Sequence, residues 1–224
     1  VIVLGLTGSI AMGKSTTAKM FAAEGAAVYD ADAAVHALYA PGGLAGARLA
    51  PVFPQAVTED GAVRRDVLRH LLADAPDSLS LLEAEVFPLL AEQRQDFLAT
   101  AVAGGRRLAV LDIPLLFETG ADAAVDAVVV VTAAPEVQRA RVMARDGMDE
   151  ATFAILSARQ TPDQEKRRRA DFLVFTDNGL QEAAFQVHRI VQTVLAPGWT
   201  PPGRRGAKSS EVSDIMDAKP GARG

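Results

Sequence analysis

Gly8-Ser9-Ile10-Ala11-Met12-Gly13-Lys14-Ser15 constrains this chain more than any other stretch, because it fits G-x-x-x-x-G-K-[ST], a loop that wraps phosphate groups. The run before it, Val1-Ile2-Val3-Leu4-Gly5-Leu6, is apolar and of strand length, and from Lys14 onward the chain reads as a helix. Strand, glycine-rich turn and helix in that order aim unpaired backbone N–H groups and the positive end of a helix dipole at one spot, where polyphosphate binds. Gly8 permits the tight turn and Gly13 lets the backbone approach a phosphate closely, with Ala11 and Met12 in the same arc. Lys14 is expected to reach the β- and γ-phosphates, Ser15 to ligate Mg²⁺, and Thr16 to follow where the first-turn N–H groups are free. The competing reading is a glycine-rich turn beside an ordinary surface lysine. The motif implies a nucleotide and leaves its fate open.

With 224 residues the chain can build one substantial core, with room for an inserted subdomain. Its formal net charge of -5 argues against a nucleic-acid or anionic-membrane partner. It has no Cys, which excludes disulfides, thiolate metal sites and a cysteine nucleophile. No apolar run reaches bilayer length and no charged leader precedes the first strand, so a cytoplasmic location is expected. His36, His70 and His188 are too scattered for a metal site.

Further strand candidates are Ala26-Ala27-Val28-Tyr29, Leu108-Ala109-Val110-Leu111, Val128-Val129-Val130-Val131 and Phe172-Leu173-Val174-Phe175. All five except the second are near-continuously apolar, the pattern of strands buried on both faces. Helical stretches between them predict an α/β fold, a parallel sheet of about five strands flanked by helices. Residues 33–105 hold no convincing strand, and Arg65 to Ala73 and Leu79 to Val102 have helical spacing, so a helical substrate subdomain is expected there. Pro135 to Arg145, Asp149 to Gln160, Asp163 to Ala170 and Gly179 to Leu195 are the later helices. After about residue 200 the composition turns to Pro, Gly, Ser and charge, which predicts a flexible tail over 201–224.

Three further groups of residues could carry chemistry. Asp30-Ala31-Asp32 ends the second strand, and in open parallel sheets ligands sit beyond the carboxyl ends of strands. One of these acids is a candidate partner for an acceptor hydroxyl, the alternative being a helix N-cap, and physics alone does not rank Asp30 against Asp32. Whether the second strand neighbours the first is also open. Asp112 ends the third strand, where a carboxylate on the Mg²⁺ side is common, though a turn cap explains it equally; Glu118 reads as a solvated helix residue as readily as a functional one. Arg141 and Arg145 are spaced to share a helix face and to clamp a transferring phosphate, unless they and Arg139 merely pair with surface acids such as Glu136 or Asp149. Lys166-Arg167-Arg168-Arg169 reads first as a solvated helix face.

Together these segments resemble the dephospho-coenzyme A kinase family. The resemblance is carried by Gly5-Leu6-Thr7-Gly8 through Ser15-Thr16, by Asp30-Ala31-Asp32, by Asp112-Ile113-Pro114-Leu115-Leu116-Phe117-Glu118, and by Arg141 with Arg145-Asp146; Gln160, Lys166 and Ala170-Asp171 extend it. It covers residues 1 to about 195. It implies a P-loop nucleotide kinase fold with a nucleotide core at 1–32 and 105–200, a lid at about 137–168 within it, and a helical dephospho-CoA subdomain at 33–104. It implies transfer of the ATP γ-phosphate to the ribose 3′-hydroxyl of dephospho-CoA, with Mg²⁺ as cofactor, ATP and dephospho-CoA as partners, and a monomer or weak homo-oligomer. By resemblance Asp32 matches the acid that engages the hydroxyl, with Lys14 and Arg141 as its catalytic companions. Arg145 joins the loop in nucleotide binding, while Arg65, Asp112 and Leu116 join Asp32 on the acceptor, and Asp112 is a further metal candidate. The chain departs from the family's common Gly-Gly-Ile-Gly-Ser-Gly-Lys-Ser loop at Ser9, Ala11 and Met12, has Phe87-Pro88 where His-Pro is usual, and arranges Thr176-Asp177-Asn178-Gly179 differently after the last strand.

Overall fold

The computed structural model describes residues 1–75 and 77–203. Among them the elements run β1 (Ile2–Thr7), α1 (Lys14–Ala23), β2 (Ala27–Asp30), α2 (Ala31–Tyr39), α3 (Leu44–Leu49), α4 (Arg65–Asp74), α5 (Ser78–Ala103), β3 (Leu108–Asp112), β4 (Ala127–Thr132), α6 (Pro135–Met143), α7 (Glu150–Ala158), α8 (Asp163–Arg169), β5 (Phe172–Phe175) and α9 (Leu180–Val194). The strands form one five-stranded sheet in the order β2-β3-β1-β4-β5. So β2 lies one strand away from β1, which the sequence left open. Every residue of β3 and β4 is buried, as their unbroken apolar runs require. In β5 only Val174 is fully buried. Its apolar run therefore overstated its burial, because an edge strand has a neighbour on one side only.

The chain divides into two compact units. One comprises Val1 with Ala18–Pro114, the other Ile2–Thr17 with everything from Leu115 on. In the first, β2 and β3 pair in parallel register, Ala27 opposite Ala109 through Asp30 opposite Asp112. Its helical insertion has a core of its own, in which Leu38, Leu49, Phe53, Val63, Leu68 and Leu89 are buried together. Of the helices here, α3 was not foreseen, while α2 bears out the alternative of a helix N-cap at the second strand's end. Asp30 ends β2 and at the same time caps α2, its carboxylate accepting from the Ala33 N–H, so no loop intervenes to announce the helix. An isolated antiparallel bridge between Val57 and Val63 is the sole extended pairing of this insertion among the described residues.

In the second unit β1 pairs with β4 and β4 with β5, all parallel. Aspartates tie the strand starts: Asp126 accepts from Val3 N–H at 2.7 Å and Asp171 from Val128 N–H at 2.8 Å. The expected tail lies almost wholly outside the described residues, of which 201–203 are its only part.

Candidate active site

The phosphate loop begins where β1 ends. Gly8 is there because nothing larger fits: a Cβ would lie 2.5 Å from the Val131 carbonyl oxygen of β4. Ala11 holds φ at 61° and Gly13 at 96°, the first a conformation that side chains resist. Within the loop Met12 N–H donates to Ser9 O at 3.2 Å, and Thr16 and Thr17 N–H both donate to Gly13 O at 3.1 Å, starting α1. The amides of Ala11, Gly13 and Ser15 donate to nothing among the described residues. They are the donors an anion needs, at the positive end of α1. Ser15 and Thr16 are exposed, whereas the Met12 side chain is buried with its sulfur accepting from Ala133 N–H. Met12 can therefore meet a ligand only through its main chain.

The loop is gripped from outside at Ile10. Gln160 Oε1 accepts from Ile10 N–H at 3.1 Å, and Gln138 Nε2 donates to Ile10 O at 2.9 Å. A second grip runs through Thr176, just past β5, whose hydroxyl donates to Met12 O at 2.8 Å. Arg141 on α6 donates to the Thr176 hydroxyl at 2.8 Å and to its carbonyl at 2.7 Å. The structure thus brings Arg141 to the loop by way of Thr176. Arg145 lies outside that helix: α6 stops at Met143, and Arg145 is exposed beyond the Ala144 cap. The helix expected over Pro135 to Arg145 thus ends two residues early, and Gly147 follows at φ 71°. Arg139 pairs with Glu150, not with Glu136 or Asp149.

The basic run is not one solvated face. Lys166 is fully buried, its Nζ 3.1 Å from Glu118 Oε1. Arg167 lies over the Phe175 ring, Arg168 is held by Glu165, and Arg169 reaches Asp122 at 3.0 Å. Glu118 is no helix residue either. It sits in a turn and its Oε1 also accepts from Thr161 N–H at 2.6 Å. Burial pushes its carboxyl up, but the Thr161 hydrogen bond and the Lys166 ammonium outweigh that and hold it below the ordinary carboxylate range. Leu116, two residues earlier, is fully buried against Gly5, where a Cβ would come within 2.9 Å of its Cδ2, so its side chain belongs to the core.

In the other unit Asp32 stands in the first turn of α2, exposed, its carboxylate making no hydrogen bond or ion pair among the described residues. Asp30 is occupied as the cap. Asp112 is 3% exposed at the end of β3. Arg65, the first residue of α4, places its guanidinium 5.4 Å from the Tyr39 ring centroid. Tyr39 and Asp32 are seven residues apart on α2, hence on one face and about 10 Å apart along the axis. Burial raises the Tyr39 hydroxyl above its ordinary range, with Arg65 opposing.

The family model for dephospho-CoA kinase matches residues 2–182, from the first strand into the last helix. This chain belongs to the dephospho-CoA kinase family. It is 53% identical over 193 residues to the dephospho-CoA kinase of Ruegeria pomeroyi, covering 86% of this chain and 95% of that one. It is 51% identical over 193 residues to that of Bradyrhizobium diazoefficiens, with 86% and 96% covered. Among solved structures, TT1252 from Thermus thermophilus superposes with a TM-score of 0.76 at 32% identity, over 87% of this chain and 98% of that one. A dephospho-CoA kinase from Campylobacter jejuni shares the fold, with a TM-score of 0.63 at 23% identity, over 86% and 96%.

Gln138 and Thr176 are contacts that the sequence reading of this family member missed. A signal existed for both. Gln138 and Arg141 are three apart on α6 and so share the face turned to the loop. Thr176 follows β5 directly, at the carboxyl end of a parallel strand. Neither is visible from a motif, because each acts on the loop from more than 120 residues away.

Proposed function

We propose that this chain transfers the γ-phosphate of ATP to the 3′-hydroxyl of the ribose of dephospho-CoA, giving CoA and ADP, the last step in building coenzyme A. It is an ATP-dependent phosphotransferase. The observation that carries the reading is the extent of the family match, residues 2–182, which takes in the phosphate loop and the helical insertion alike. Residues 1–32 and 105–200 serve as nucleotide core, about 137–168 within them as lid, and 33–104 as acceptor subdomain.

In this scheme the amides of Ala11, Gly13 and Ser15 and the Lys14 ammonium hold the triphosphate, with Gly8, Met12 and Thr16 shaping the arc and Arg145 joining from beyond α6. Asp32 takes the proton as the ribose oxygen forms its bond to Pγ and the bond from Pγ to the β,γ-bridging oxygen breaks, leaving ADP. Arg141 offsets charge on the transferring group. Arg65 and Asp112 hold the acceptor, and Leu116 contributes main chain only.

A Mg²⁺ ion fits the donors present. The Ser15 hydroxyl and, separately, the Asp112 carboxylate are each hard oxygen ligands of the kind Mg²⁺ takes; among the described residues no group of three or more His, Cys, Asp or Glu could hold a metal ion. Bound with ATP, the ion would supply positive charge that offsets the phosphates' negative charge. Among the described residues no helix is long and apolar enough to cross a membrane. We place the enzyme in the cytoplasm, where ATP is supplied, and expect no nucleic-acid partner.

A coupled assay for ADP tests the proposal. ADP release is expected to depend on dephospho-CoA. Release with a nucleoside monophosphate or a simple alcohol, and none with dephospho-CoA, would reassign the acceptor.

A further inference from the structure

We infer that Glu118 is a positioning residue for the phosphate loop, acting through Thr161 and Gln160, with Lys166 as its counter-charge. The inference rests on the reading that this loop takes ATP.

The loop needs an outside constraint. Ala11 sits at φ 61°, a conformation that a side-chain-bearing residue keeps only when its surroundings enforce it. Inside the 9–12 arc the single main-chain bond among the described residues is Met12 N–H to Ser9 O. On the Met12 side, burial of its side chain and the Thr176 hydroxyl supply one anchor. A cavity of about 100 Å³ lies beside the arc, with Ser9, Gln138, Ser157, Gln160 and Asp163 in its wall. On the other side of Ala11, hydrogen bonds to Ile10 from Gln138 and Gln160 carry the positional information.

Gln138 is fixed by α6. Gln160 is not on a helix: α7 ends at Ala158 with Arg159 as its cap, and α8 starts at Asp163. Its own N–H reaches back to Ser157 O at 3.1 Å, and the next residue, Thr161, is tied by its N–H to Glu118. Pro162 follows, with its backbone stiff at φ -54°. Glu118 thus sets the peptide next to Gln160. Lys166 is fully buried, and a buried ammonium demands an ionised partner, so it keeps Glu118 charged and oriented toward Thr161.

A pair that merely staples α8 in place predicts a change in stability without a specific change in nucleotide affinity, and two matched double variants separate the cases. Glu118→Gln with Lys166→Met removes both charges but keeps an acceptor for Thr161. Glu118→Leu with Lys166→Met removes the acceptor as well. Calorimetric titration of each intact protein with MgATP, without acceptor, is expected to give a Kd within about twofold of wild type for the first and about tenfold weaker for the second. Gln160→Ala is expected to match the second, and adding it to the second to weaken binding no further. KM for dephospho-CoA should stay put throughout. An unchanged Kd in Gln160→Ala overturns the inference by itself, whatever the double variants do, and so does a fully additive loss in the triple variant. ATP binding in wild type without turnover of dephospho-CoA would instead refute the assigned reaction and leave this test intact.

Discussion

Asp30 and Asp112 stand at matching register positions on the neighbouring strands β2 and β3, both at the carboxyl ends. Their surroundings nonetheless separate them. Asp30 is exposed and occupied with the Ala33 N–H, while Asp112 is buried. Two residues beyond Asp30, Asp32 keeps its carboxylate clear of any partner among the described residues. A free carboxylate beside a capping one suggests opposite phenotypes. Asp32→Asn should cut turnover at least about 100-fold while the melting temperature and the MgATP Kd hold. Asp30→Ala should instead cost about 1 kcal/mol of stability, about 2–4 °C in Tm, with most activity kept. Full activity in Asp32→Asn would end its assigned role.

Lys14 carries the charge of the loop. Lys14→Ala should abolish turnover and MgATP binding together, because the remaining amides lack a full positive charge. Calorimetry that still detects wild-type affinity in this variant would contradict the assignment.

Gly8 is required by space. A Cβ 2.5 Å from the Val131 oxygen and 3.3 Å from its Cβ meets main chain that cannot rotate away. Gly8→Ala should therefore destabilise the protein by about 1–3 kcal/mol, as overpacking does, and denaturant titration will read it. A neutral result would mean that β1 and β4 part more easily than their pairing indicates.

Acid should loosen the Glu118 contacts. Its folded carboxyl lies below its ordinary value of 4.5, so its stabilising contribution is complete above that pH and disappears as pH falls through the lowered folded value. Thermal melts from pH 6 downward should show this loss, and Glu118→Gln with Lys166→Met should lack that part of it. Identical acid profiles for the two proteins would exclude the pair as a contributor.

The strands, the phosphate loop and most helices were legible because their signals are local: apolar runs, a glycine-lysine spacing, periodicity of three and four. What local reading missed had distant causes. Lys166 and Arg167 are neighbours in sequence, yet one is fully buried on Glu118 and the other exposed over Phe175. Arg145 keeps helical spacing from Arg141 but falls outside α6, and nothing in the spacing says where a helix stops. Asp30 and Asp32 are the same residue type two positions apart, and only the start of α2 between them tells them apart.

By itself the amino-acid sequence determined that a strand, a phosphate-wrapping turn and a helix would form, and that a parallel sheet with a helical insertion would surround them. Hydrophobic periodicity and backbone freedom at glycine act over a few residues and need no partner. The tertiary structure alone decided that Gln138, Gln160 and Thr176 hold the loop, that Lys166 is buried, and that Leu116 is core. Each of those outcomes depends on a hydrogen bond, a charge or a packing contact whose other half is set by the path of the chain, and local pattern carries no record of that path.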